Sequence, residues 1–146
     1  MEGQVGKTKD VGYEFGLQKT FSISEKQAWD FMFSDSGLKI WLGDLETDFS
    51  LKENYKTKSG IEGFVRVFEL YSHIRMNWKK KDWNNMSTVQ VRVIGKNNDK
   101  TLISFHQEKL LDSDQRAEMK EYWNKKMENI TEEIKKQAAS SSMYKW

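Results

Sequence analysis

The chain has 146 residues, a formal charge of +2, 37% apolar and 32% charged residues, and neither Cys nor Pro. This length fits a single domain that buries roughly 70% of its unfolded surface. The lack of Cys excludes disulfides, thiolate metal sites and a cysteine nucleophile and favours a reducing compartment, and no apolar run approaches the roughly 20 residues that cross a bilayer.

Six Trp, eight Phe and five Tyr are more aromatic side chains than a disordered chain carries, so most of the chain is expected to fold. The segment Met1 to Asp10 is polar and lacks the apolar stretch of a secretory signal, and the expected location is the cytoplasm. From Val11, the residues Val11, Tyr13, Phe15, Leu17 and Phe21 fall on alternate positions, the period of a half-buried first strand. Ser24 with Gln27 three residues on forms a capping box, and Ala28, Trp29, Phe31, Met32 and Phe33 give a short helix with a broad apolar face. Ser36-Gly37 is expected to break it, and Leu38 to Leu42 to form a second helical turn carrying Trp41.

Short strands are expected near Thr47 to Leu51 and Asn54 to Thr57, and Gly60 and Gly63 punctuate the start of a longer one running to about Tyr71. Ile74, Met76 and Trp78 alternate with polar residues. Lys80 to Asn85 reads as a polar loop. Val89, Val91 and Val93 alternate with Thr88, Gln90 and Arg92, and Gly95 to Asp99 is a turn signal. Thr101, Ile103, Phe105 and Gln107 then share one side of the last strand. After Asp112-Ser113-Asp114, any of which can cap, the period becomes helical. Met119, Trp123, Met127, Ile130 and Ile134 make one stripe, opposite Glu121, Lys125, Glu128, Glu132 and Lys135. The folded core is expected over about 11–136, with 138–146 as a flexible tail in which Tyr144 and Trp146 are the residues able to dock.

Basic residues concentrate in 73–100, where Arg75, Lys79, Lys80, Lys81, Arg92, Lys96 and Lys100 face only Asp82 and Asp99. The stacking aromatics and Gly-rich loops of RNA-binding modules are missing, so a solvated strand face is expected rather than a nucleic-acid surface. The order of elements describes one α+β domain: a curved antiparallel sheet of about six strands, two short helices after the first strand, and a long C-terminal helix packed across the sheet. On that arrangement Trp41, Met76, Trp78, Val91, Phe105, Met119, Trp123 and Met127 converge, with Gln107 as the polar group on their face.

Three stretches carry a family resemblance. They are Phe21-Ser-Ile-Ser-Glu-Lys-Gln-Ala-Trp29 with Leu38-Lys-Ile-Trp41-Leu-Gly43, then Gly63-Phe-Val-Arg-Val-Phe-Glu69 with Ile74-Arg-Met-Asn-Trp78, and finally Thr101-Leu-Ile-Ser-Phe-His-Gln107 with Trp123-Asn-Lys-Lys-Met127-Glu-Asn-Ile130. In order and spacing the chain resembles the SRPBCC (START-like, helix-grip) superfamily, and within it the family of activator of heat-shock-protein ATPase homologues. The resemblance implies a cavity between sheet and C-terminal helix for a small hydrophobic molecule, of lipid, flavonoid or polyketide-like chemistry. Trp41, Met76, Trp78, Val91, Phe105, Gln107, Met119, Trp123 and Met127 would line it. The chain departs from the family at Leu70-Tyr71, where relatives often carry Pro-Pro, and at Tyr122, where they often carry Gly. The bulkier Tyr122 is expected to tighten the helix against the sheet and shrink the pocket.

The plainer reading is that these nine residues fill the core. His73 and His106 are the only histidines and lie too far apart in the chain to found a zinc site. His106 alternates out of register with Ile103 and Phe105 and is expected to face away from the interior. Glu14 and Glu69 are strand carboxylates that alternation places clearly on neither side, and no Ser sits in a nucleophile elbow. A non-catalytic binding domain with no cofactor is therefore expected. A chaperone-contacting protein is the first alternative, and a cyclase- or hydrolase-like enzyme of the superfamily the second.

Overall fold

The structure is a computed structural model that describes residues 7–8 and 12–143, with side chains from 12 to 139. Six strands form the body of one antiparallel sheet: β2 (Gly12–Phe21), β3 (Asn54–Lys56), β4 (Glu62–Glu69), β5 (His73–Trp78), β6 (Ser87–Asn97) and β7 (Lys100–Leu110). A two-residue β1 (Lys7–Thr8) adds an edge, and the order across the sheet is β1-β2-β7-β6-β5-β4-β3. Two short helices, α1 (Glu25–Met32) and α2 (Asp35–Trp41), follow β2, and the long α3 (Ser113–Met143) closes the fold. The expected α+β helix-grip architecture is thus the one observed. Val11, expected to open the first strand, lies outside the described residues.

Period-two patterning decides the faces. Ile74, Met76 and Trp78 of β5, Val89, Val91 and Val93 of β6, and Ile103, Phe105 and Gln107 of β7 are buried on one face. Arg75 pairs across with Gln90, and Gln90 with His106, on the other. The helices cover only the apolar face, α3 against β2 and β7, α1 against β6 and β7, and α2 against α3.

Helix α1 starts where the sequence places it. Ser24 Oγ accepts from the Gln27 N–H at 3.1 Å while Gln27 Oε1 accepts from the Ser24 N–H at 2.9 Å, so two amides with no partner inside the helix are satisfied together. The break comes earlier than Ser36-Gly37. Ser34 caps α2 by accepting from the Gly37 N–H at 3.0 Å, which puts Ser36 and Gly37 inside the first turn of that helix. Gly37 is needed for close approach rather than as a breaker, because any Cβ there would collide with the Phe31 carbonyl oxygen.

Two connections differ from the sequence reading. Thr47 to Leu51 forms no strand; the only ladder contact nearby is the isolated bridge between Leu45 and Thr57. Phe49 instead turns inward, with ring centroids 5.5 Å from Tyr55 and 6.2 Å from Phe68. Lys52 follows at φ 62 and donates its N–H to the Val65 carbonyl at 2.7 Å. The Lys80–Asn85 loop is polar except for Trp83, which is buried with its ring centroid 5.3 Å from that of Trp78.

Of the three candidate caps for α3, Asp112 is the one used: its Oδ1 accepts from the Gln115 N–H at 2.8 Å. The Gln115 amide in turn exchanges two hydrogen bonds with the Asn85 amide, tying the helix start to the β5–β6 loop. Met119, Trp123, Met127 and Ile130 are buried and Ile134 is packed at the margin, so the whole expected stripe faces the sheet. Arg116 Nε donates to the Glu14 carbonyl at 2.7 Å and Lys19 Nζ to Thr131 Oγ1 at 3.0 Å, fastening both halves of α3 to β2. The sequence ends the helix near Lys136, yet it continues to Met143, because Ala138 and Ala139 are strong helix formers and no Gly or Pro stops it. Tyr144 and Trp146 lie outside the described residues.

Two substitutions test this packing in a denaturant titration. Trp123→Ala is expected to lose about 3–5 kcal/mol, the usual loss for a buried aromatic truncated to Ala; a loss below about 1 kcal/mol would mean that α3 does not dock through this ring. Gly37→Ala adds one methyl group and is expected to lose about 1–3 kcal/mol by overpacking, whereas an unchanged midpoint would show that the α1–α2 corner yields freely.

Candidate functional site

All nine side chains proposed for the pocket come together between the sheet and α3, and each is at most 4% exposed. Trp41 arrives from α2, fixed by donation from its Nε1 to the Met32 carbonyl at 2.7 Å. Its ring lies 5.8 Å from Phe105, and Phe105 stacks on Trp123 at 4.8 Å and 21°. Trp78 is 5.8 Å from Trp123 and 5.5 Å from Tyr122. Met76, Met119 and Met127 belong to the same cluster of buried side chains.

One polar line crosses this apolar interior. Trp123 Nε1 donates to Gln107 Oε1 at 2.7 Å, Gln107 Nε2 donates to Ser87 Oγ at 2.9 Å, and the Ser87 hydroxyl donates to the Trp78 carbonyl. Trp78 Nε1 is the exception. Among the described residues it is the only buried side-chain nitrogen or oxygen with no hydrogen-bond partner, and leaving such a donor unpaired costs about 1–3 kcal/mol.

Ser87 and Trp83 of this region were not singled out by the sequence, in which Trp83 belonged to the polar loop Lys80–Asn85; Tyr122 was, as the bulky residue expected to tighten the helix against the sheet. Tyr122 packs its ring edge-on to both Trp78 and Trp123, as its bulk led one to expect, and burial pushes its phenol well above the ordinary tyrosine value. Two ammonium groups flank the ring, Lys80 Nζ at 5.1 Å and Lys126 Nζ at 5.0 Å from its centre. A Trp inside a Lys-Asp-Asn loop was the available signal for Trp83; nothing in the spacing marks the lysines.

Clefts formed by described residues open elsewhere. One, about 720 Å³, runs between α1, the start of α2 and the far end of α3, with Ile23, Gln27, Asp30, Phe31 and Ile134 on its walls. A second, about 530 Å³, lies against β3 and β4 beside Tyr55, Phe64 and Met86. None of the nine interior residues lines either.

On the outer face His106 points away from the interior, as alternation requires, and its Nε2 meets Glu14 Oε1 at 2.8 Å. Glu108 stands close by, so that three ligating atoms lie within 4.8 Å of one another, but its carboxylate is taken by Arg75 at 3.0 Å. His73 sits by the β4–β5 turn, bonded through Nδ1 to Ser72 Oγ at 2.8 Å. Desolvation, and after it the Arg92 charge, hold its pKa below the ordinary histidine value. Glu69 is exposed at the same turn. These groups form two separate surface pairings, and no acid–base pair faces the aromatic interior among the described residues. Three of the seven basic residues in the segment 73–100 are paired with carboxylates from other elements: Lys79 with Glu62, Lys80 with Glu118 and Arg75 with Glu108. No described helix is long and apolar enough to cross a membrane.

Comparison with known proteins places this geometry. The family model described as "Activator of Hsp90 ATPase homolog 1-like protein" matches residues 23–135. Among curated proteins no sequence match is found. A solved structure described as an HSP90 activator from Plasmodium falciparum is 20% identical with a TM-score of 0.59, covering 67% of this chain and 74% of its own. CalU16 from Micromonospora echinospora is 15% identical with a TM-score of 0.73, over 94% of this chain and 87% of its own. The Aha1 dimer from Colwellia psychrerythraea is 13% identical with a TM-score of 0.65, over 80% and 92%. At these identities the likeness is one of fold. The family model spans most of the chain, and its region runs from the α1 capping box to the end of the buried stripe on α3: the chain belongs to the family of activator of Hsp90 ATPase homolog 1-like proteins.

Proposed function

We propose that the domain is a non-catalytic binding protein that takes a small apolar or aromatic molecule into the cluster between the sheet and α3. The reading rests on the unpaired Trp78 Nε1. Buried polar groups in folded proteins nearly always have a partner, and an exception asks for an explanation. A ligand carrying a hydrogen-bond acceptor would supply one, with aromatic rings around it and the Gln107–Ser87 line beside it, the mixture typical of small-molecule sites. The rings are in contact, so entry requires side chains to move. Met76, Met119 and Met127 are the adaptable ones, and the β5–β6 loop carrying Trp83 is the nearest gate. Lipid, flavonoid and polyketide-like aromatic molecules are the candidate chemistries, and the cysteine-free composition fits a cytoplasmic setting.

The family description supports a second reading, contact with a heat-shock chaperone. CalU16 and the Hsp90 activator share this fold, so the fold alone does not choose between the two readings. They separate in solution: a failure to raise the ATP turnover of a purified Hsp90-type chaperone at micromolar protein would dispose of the second.

The test of the first is an amide and indole NMR titration of labelled protein with a panel of fatty acids, flavonoids and polyketide-like aromatics. The expected result is a set of shifts confined to the segments around Trp78, Gln107 and Trp123. The Trp78 indole N–H should move downfield as it gains an acceptor. An unmoved Trp78 indole with every compound would sink the proposal and leave the interior as core alone.

A further inference from the structure

Beside the aromatic cluster stands a cation without a counter-charge. Lys80 and Lys126 share the face and rim of Tyr122, yet only Lys80 has a counter-charge, Glu118 Oε2 at 2.6 Å. Lys126, one turn after Tyr122 on α3, has no carboxylate partner among the described residues, and its side chain is half-buried. Burial first, and the neighbouring Lys80 charge second, hold its pKa below the ordinary lysine value. The same environment strengthens any ion pair it makes. One ring away stands Trp78, its donor unpaired. A cation without an anion and a buried donor without an acceptor therefore both adjoin the Tyr122 ring.

We infer that the ligand is an aromatic acid, its ring system entering the Trp78–Trp83–Tyr122 cluster and its carboxylate or other anionic group pairing with Lys126. This rests on the small-molecule reading above and adds the charge that the ligand must carry. A purely apolar molecule leaves Lys126 unpaired, and a polar anion without rings leaves the Trp cluster unfilled. Glu118 already neutralises Lys80, so one anionic group on the ligand restores local neutrality and a second has no partner there.

A matched pair of fluorescent probes tests the assignment: anilinonaphthalene sulfonate, and neutral phenylnaphthylamine, which has the same rings without the sulfonate. Both are titrated into the folded protein and into Lys126→Met, which keeps the apolar stem and removes the charge; the amide spectrum confirms that each protein is native. The sulfonate is expected to bind at least about tenfold tighter than the neutral probe, the scale of one charge-assisted contact. In Lys126→Met the preference should vanish while the neutral probe's affinity holds. Equal binding of the two probes to the native protein, or a preference that survives Lys126→Met, overturns the charge assignment and leaves the binding reading standing. Binding of neither probe to the native protein overturns both.

Discussion

The indole of Trp123 sets the constraint on which the rest of the fold depends. A Trp ring can be fully buried at little polar expense only where its N–H finds an acceptor, and here Gln107 supplies it from the inner face of β7. The same amide reaches Ser87 at the start of β6. One side chain thus fixes the rotation of α3 and ties it to two strands. A slip of β7 by one residue would turn Gln107 outward and bring His106 into the apolar layer. Trp123 would then be orphaned and a polarisable ring exposed to the core. The register of the β6–β7 hairpin is therefore specified chemically as well as by the two-residue turn at Asn98-Asp99.

How much of this could be read in advance follows from what each signal depends on. Alternation along β5, β6 and β7 and the spacing of Met119, Trp123, Met127, Ile130 and Ile134 are properties of the backbone period, so burial there followed expectation except at the margins, where Ile134 is only partly covered and Thr88 is buried. Thr47 to Leu51 did not, because its apolar residue Phe49 is drawn inward by rings from α2, β3 and β4 rather than by a strand partner. Gly37 was read as a breaker because Gly usually is one; its function here is to let two helices touch, which only the tertiary contact with Phe31 reveals.

The candidate site shows the same division. Its apolar members do fall in one buried cluster, since convergence follows from facing. Its polar logic was out of reach. Whether the Trp78 N–H meets an acceptor, or Lys126 meets a carboxylate, is decided by side-chain placement a few ångströms at a time. The basic segment makes the point with Arg75, Lys79 and Lys80. In sequence they form an excess of charge, whereas in the fold Glu108, Glu62 and Glu118 come to them from other elements.

A packed interior and a binding function are compatible when the free energies are set side by side. The unpaired Trp78 donor costs about 1–3 kcal/mol, which, on the proposed reading, an acceptor on a ligand would remove. Each 1.4 kcal/mol so released is a factor of ten in affinity. Against it stand the contacts broken when a Met or the Trp83 loop makes room. Displaced Met side chains regain rotamer freedom worth up to about 2 kcal/mol each, and their thioethers repack without strict shape requirements. Displacing the Phe105–Trp123 stack instead would break the Gln107 bond and unlock α3. On the proposed reading, the energetically open route would lie along the methionines and the Trp83 loop, with the Trp123–Gln107–Ser87 line left intact as the floor of the site.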